Sequence, residues 1–154
     1  MKANRLFLLL IAAVAIMSSC TKQNYYGGDS ITMSHYDYSI TRGDWQVASG
    51  NNGGEFLLAK LSVPEITRNV VAYGTVTVSW EQRDEYGYAY WTPLPVSRAE
   101  ALDLGTDKEF FYSTYLDYEW SAGSVYVYFT ATDLFVENDK SLWPNFNLRV
   151  TILY

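Results

Sequence analysis

From Ile31 onward the chain repeats apolar and polar residues with a period of two, and this pattern constrains the fold more than any other feature. Side chains along a β-strand point alternately to opposite faces, so strict alternation marks strands with one buried and one wet side. Val76, Val78 and Trp80 fall on one side, with Thr75, Thr77 and Ser79 on the other. Val125, Val127, Phe129 and Ala131 alternate with Tyr126, Tyr128, Thr130 and Thr132. Leu148, Val150, Ile152 and Tyr154 alternate with Asn147, Arg149 and Thr151, and Tyr112, Leu116, Tyr118 and Trp120 stand opposite Ser113, Tyr115, Asp117 and Glu119. Shorter strands are expected at Tyr36 to Ile40, Trp45 to Ala48, Glu55 to Leu61 and Tyr88 to Thr92.

Turn chemistry separates these runs. Asn51-Asn52-Gly53-Gly54 and Tyr86-Gly87 supply residues that tolerate a positive φ. Pro64 to Asn69 reads as a single helical turn, and Ser97 with Glu100 fits a capping box that predicts a short helix over Arg98 to Leu104. Seven to eight short strands with one polar face each predict an all-β, antiparallel, immunoglobulin-like sandwich. A transmembrane barrel is the alternative, since the last strand ends on an aromatic, Tyr154. Barrel strands need a lipid-facing apolar band over about nine to eleven residues. Here the outward positions are Thr, Ser, Asp, Glu and Arg.

The N-terminus carries a different signal. Lys2 and Arg5 precede an unbroken apolar run, Leu6 to Met17, followed by Ser18, Ser19 and Cys20. As a helix those residues would span about 18 Å, short of a hydrocarbon core of about 30 Å, which makes the run a secretion signal rather than a span. A cysteine directly after a small pair resembles the lipobox of bacterial lipoproteins, in which the thiol is diacylated, the chain is cut before it, and the new amine is acylated. The expected organisation is a signal peptide over 1–19, a flexible tether over 20–30 and one β-sandwich domain over 31–154. Membrane lipid, through acylated Cys20, is the expected partner.

Composition narrows the function classes. Without Lys2 and Arg5 the chain has nine Lys and Arg against seventeen Asp and Glu, a formal charge of −8. Phosphate binding takes clustered cations, so nucleic acid is excluded as a partner. Cys20 is the sole cysteine, which leaves the domain no disulfide, thiolate metal site or thiol nucleophile. Its core must be apolar and aromatic, and the chain has fourteen Tyr, seven Phe and five Trp to build one.

Val63 to Val78 (VPEITRNVVAYGTVTV), Trp91 to Val96 (WTPLPV) and Leu148 to Leu153 (LRVTIL) together resemble a group of uncharacterised lipoproteins of the Bacteroidota. The matching motifs are apolar packing residues. What the resemblance implies is a compact β-sandwich in the cell envelope, at the outer membrane, with no known activity. Bacteroidota lipoproteins bound for the surface often carry acidic residues after the cysteine. Thr21-Lys22-Gln23-Asn24 has none, which points to the periplasmic side.

Four constellations merit a chemical reading. Asp117 and Glu119 share a strand face, about 6 to 7 Å apart, near the separation used by paired-carboxylate glycosidases. An open sheet face, however, supplies nothing to hold one of them neutral. His35, the sole histidine, has neither a nucleophile elbow nor metal-ligand spacing around it. Asp133, Glu137, Asn138 and Asp139 are oxygen ligands without the glycine and spacing of a calcium loop. Tyr86, Tyr88, Tyr90 and Trp91 crowd a hairpin tip beside Asp84 and Glu85, the combination with which proteins stack on sugar rings and bond their hydroxyls. These four are the candidate ligand-binding residues, for a glycan or an envelope protein. No catalytic residue, metal or cofactor is assigned, and a non-enzymatic structural or binding module is the expected role. A carbohydrate-binding module is its sharper form and a small glycan-acting enzyme the rival.

Overall fold

The computed structural model describes residues 23–26, 31–50, 54–103, 109–132 and 140–154. Among the described residues ten strands form two antiparallel five-stranded sheets. They are β1 (Gln23–Tyr26), β2 (Thr32–Ile40), β3 (Gln46–Ser49), β4 (Glu55–Val63), β5 (Thr75–Arg83), β6 (Ala89–Pro93), β7 (Val96–Asp103), β8 (Glu109–Ser121), β9 (Gly123–Ala131) and β10 (Phe146–Leu153). The first sheet has the order β1-β2-β10-β5-β6 and the second β3-β4-β9-β8-β7. The two sheets keep separate edges, so the fold is the sandwich expected from the sequence and not a closed barrel.

Alternation places the core where it should lie. Val76, Val78, Leu148, Val150 and Ile152 of the first sheet are buried against Leu57, Ala59, Leu61, Val63, Val125 and Val127 of the second. Phe129 and Ile152 are buried as their patterns require, and Trp80 packs half-buried against the same core. At one end, where β10 begins, Phe146 gathers Trp45, Trp80 and Phe129 around its ring, with centroids 5.1 to 6.0 Å away. Trp45 satisfies its indole N–H on the Pro144 carbonyl at 2.7 Å, which lets a polar ring sit in an apolar cluster.

Three local expectations are corrected. Val96–Asp103 is a strand, β7, and not a helix beginning at Arg98. It pairs with β8 from Val96↔Leu116 to Asp103↔Glu109, and that ladder outweighs the local capping signal of Ser97 and Glu100. Within the expected tether, Gln23–Tyr26 pairs with Thr32–His35 as an edge strand. With Gln23–Tyr26 and Val96–Asp103 added, the described residues hold ten strands against the expected seven to eight. The helical turn lies further on, as α1 (Arg68–Tyr73), because the Thr67 hydroxyl accepts from the Val70 N–H and caps it. Gly74 then lets the chain pass β10: a Cβ there would lie 2.7 Å from the Leu153 carbonyl oxygen.

A cis peptide between Leu94 and Pro95 carries the chain from β6 in the first sheet to β7 in the second. The two edge strands therefore lie on the same side of the sandwich. β10, the last strand, inserts between β2 and β5 and so joins side chains far apart in sequence. This insertion creates the outer face described next.

Candidate functional site

The hairpin between β5 and β6 is a rigid platform. Its turn closes through the Gly87 N–H on the Asp84 carbonyl at 3.0 Å, with Gly87 at φ 84°, a conformation that favours glycine. One carboxylate oxygen of Asp84 accepts from the N–H groups of both Tyr86 (2.9 Å) and Tyr88 (2.8 Å). Arg83 adds a bond from Nη1 to the Gly87 carbonyl. The backbone is thus pinned from inside, while the rings of Tyr86 and Tyr88 stand 77% and 72% exposed.

The four predicted binding residues do not form one cluster. Pairing sets Gln82 opposite Tyr90 and Glu81 opposite Trp91, so these two aromatic side chains leave β6 on opposite faces. Tyr90, less exposed than the tip rings, turns towards the interior side and donates its hydroxyl to Gln82 Oε1 at 3.0 Å. Trp91 stands half-buried on the outer face of the first sheet.

There Trp91 walls a groove of about 490 Å³ with Asp37 and Ser39 of β2, Glu81 of β5, and Asn147 and Arg149 of β10. Arg149 holds Asp37 through both Nε (2.7 Å) and Nη2 (2.9 Å) and lays its guanidinium 4.1 Å from the Trp91 ring centre. That hydrogen bond keeps the Asp37 carboxyl below the usual carboxylate range and raises Arg149. A second row runs beside it. Ser39 Oγ donates to Asn147 Oδ1 (2.9 Å), Asn147 Nδ2 donates to Glu81 Oε2 (3.2 Å), and Glu81 Oε1 accepts from Arg83 (2.9 Å). The groove therefore offers an aromatic wall fixed by a cation and a row of donors and acceptors with lone pairs left over.

No family model matches this chain, and no curated protein or solved structure matches it.

The other constellations fall apart from this face. Asp117 and Glu119 lie exposed on β8, on the outside of the second sheet. Asp117 accepts from the Tyr118 N–H at 2.7 Å, on a stretch of β8 that runs past the end of β7 and pairs only with β9. Glu119 accepts from the Tyr128 hydroxyl at 2.8 Å. The Asp117 bond is thus local to β8, whereas the Glu119 bond crosses to β9. His35 sits half-buried on the outer face of β2, opposite Thr151. Among the described residues no three His, Asp or Glu side chains converge to hold a metal ion. Cys20 and the Asp133, Glu137, Asn138 and Asp139 group lie outside the described residues.

Sequence reasoning missed Asp37, Glu81, Asn147 and Arg149. All occupy outward positions of the alternation, which carry polar residues in any strand. Only the strand order makes them neighbours.

Proposed function

We propose that this protein is a non-enzymatic glycan-binding module, anchored by acylated Cys20 to the outer membrane of a bacterial envelope, like the Bacteroidota lipoproteins it resembles. The observation that carries the reading is the exposure of Tyr86 and Tyr88 on a turn pinned by Asp84, at the tip of the hairpin whose strand β6 also contributes Trp91 to the groove. Exposed rings on a pre-ordered backbone bind at little entropic cost, which is why such rings dominate interaction surfaces. Asp37, Glu81 and Asn147 supply the hydrogen bonds that a sugar ring stacked on aromatic faces requires. The exposure of Asp117 and Glu119 on an open sheet face, which leaves neither carboxyl held neutral by burial, supports binding over hydrolysis.

The anchor and the binding face are tested separately. The Cys20→Ala chain is expected to leave the membrane fraction, since each buried acyl CH₂ contributes about 0.8 kcal/mol to anchoring and the variant has none. The full-length protein in detergent micelles, applied to an array of bacterial envelope glycans, is expected to bind a subset of them. A Tyr86→Ala/Tyr88→Ala double variant with an unchanged circular dichroism spectrum is expected to lose that binding. A blank array, or equal binding by the double variant, refutes the glycan reading whatever the result for Cys20.

A further inference from the structure

A second cleft opens between the sheets on the side where β6 passes to β7, away from the outer groove. Its floor is apolar. Leu116, Phe129 and Phe146 are buried there, and Trp80 and Val96 pack half-buried beside them. The space is about 180 Å³. A cavity of about 150 Å³ accommodates benzene, whereas pockets for drug-sized ligands begin near 300 Å³, so this one has room for a single side-chain-sized group.

What distinguishes the cleft is the charge at its rim. β7 sets Val96 opposite the buried Leu116, Arg98 opposite Thr114 and Glu100 opposite Tyr112. Side chains two apart share a face, so Arg98 and Glu100 project to the interior side of the sheet, where a sandwich places apolar residues. Charges in such positions are costly unless partnered. Arg98 lays its guanidinium 4.7 Å from the Trp80 ring centre and donates from Nη2 to the Gln82 amide oxygen, both neutral groups. Gln82 is itself fixed by Tyr90 and by its bond to Thr92 Oγ1 at 2.7 Å. Neither Arg98 nor Glu100 forms an ion pair with the other or with any described residue. Glu100 still makes itself felt in the cleft: with burial, its charge pushes the Tyr112 phenol up.

We infer that this cleft binds a free α-amino acid with an apolar side chain. The side chain enters above Leu116 and Phe146, the α-carboxylate meets Arg98, and the α-ammonium meets Glu100. Positions two apart on a strand are about 7 Å apart, which suits two opposite charges carried on one small ligand. The guanidinium keeps a fork of N–H donors beyond the one spent on Gln82, enough for a carboxylate. This site is independent of the glycan-binding face and of the lipid anchor.

Calorimetric titration of the full-length protein in detergent micelles tests the inference with four probes. L-leucine is expected to bind. 4-Methylpentanoate, which lacks the ammonium, isopentylamine, which lacks the carboxylate, and L-aspartate, which lacks the apolar group, are each expected to bind at least about tenfold more weakly. Glu100→Gln is expected to weaken leucine while leaving 4-methylpentanoate unchanged or tighter. Arg98→Gln is expected to weaken both. Should Arg98→Gln fail to fold, the probe series and Glu100→Gln decide alone. Absence of leucine binding up to about 10 mM overturns the inference, as does 4-methylpentanoate matching leucine or leucine binding that Glu100→Gln does not alter.

Discussion

Arg149 stacks its guanidinium 4.1 Å from the centre of the Trp91 ring while its Nε and Nη2 grip Asp37. β10 contributes Arg149, β6 contributes Trp91, and β5 runs between them. The guanidinium therefore spans the strand that separates them and fixes the ring that walls the groove.

A lysine at this position keeps the charge but loses the planar fork and the stacking surface. Because Asp37 and Arg149 are both partly in water, Arg149→Lys is expected to cost only about 0.5 to 1 kcal/mol in a urea titration. Its larger effect falls on the groove. Acrylamide quenching of tryptophan fluorescence should rise in Arg149→Lys, and a Trp91→Phe background should abolish the difference. Unchanged quenching means that Trp91 is held by its own strand and not by the arginine.

Acid should weaken the fold through two exposed carboxylates. Asp37 is held low chiefly by its hydrogen bond to Arg149, and Asp44 by accepting from both the Thr41 hydroxyl and the Thr41 N–H, each at 2.7 Å. Folded values below the unfolded ones mean that this stability is fully present above the unfolded carboxylate range, near about 4, and is lost as pH falls through the lower folded values. Urea midpoints should therefore be flat from about pH 7 to 5 and fall below about pH 4, by about 1 kcal/mol or less for each exposed pair. Asp37→Asn should flatten part of that decline. A decline of full size in Asp37→Asn assigns it to other carboxylates.

How far the sequence could foresee this depends on which interactions are local. β5, β9 and β10 were legible because Val76, Val78, Val125, Val127, Leu148, Val150 and Ile152 alternate without interruption, and all are buried. β7 was not, because Arg98 and Glu100 occupy its interior face and disguise the alternation, while Ser97 and Glu100 imitate a helix start. The aromatic tip was legible as a cluster, yet its division between Tyr90 and Trp91 required the register of β5 with β6. The groove was illegible from sequence spacing: Asp37 and Arg149 are 112 residues apart and meet only because β10 inserts beside β2.

On the outer face of the second sheet, one tyrosine should resist ionisation. Burial, and then the bond it donates to Glu119, push the Tyr128 phenol up to about 12. A folded value above the unfolded one means that the associated stability is intact below about pH 10 and is lost as pH rises from there towards 12. Spectrophotometric titration should show a late phenol step that Tyr128→Phe removes. Glu119→Gln should move that late step to lower pH, since it removes a negative charge and its strong acceptor. A titration in which Tyr128→Phe removes an early step instead would show that the bond to Glu119 does not protect the phenol.

Phe146 anchors the end of the sandwich where Trp45, Trp80 and Phe129 meet the start of β10. It is 6% exposed and meets Trp80 edge-on at 5.1 Å, Phe129 at 5.8 Å and Trp45 edge-on at 6.0 Å. Truncating a buried phenylalanine to alanine costs about 3 to 5 kcal/mol, because the ring's burial is lost and the surrounding side chains close the space only in part. The edge-to-face pairs add about 0.5 to 1.5 kcal/mol each beyond burial, and two of them end on Phe146. Against a total stability of about 5 to 15 kcal/mol, Phe146→Ala should leave the domain marginal or unfolded at 37 °C. Phe146→Leu refills most of the volume but restores no ring edge, so it should fall between the two, with a weakened near-ultraviolet circular dichroism band from Trp45 and Trp80. A Phe146→Ala chain within about 1 kcal/mol of the parent would mean that Trp45, Trp80 and Phe129 repack into the space, and that the aromatic cluster has no unique arrangement.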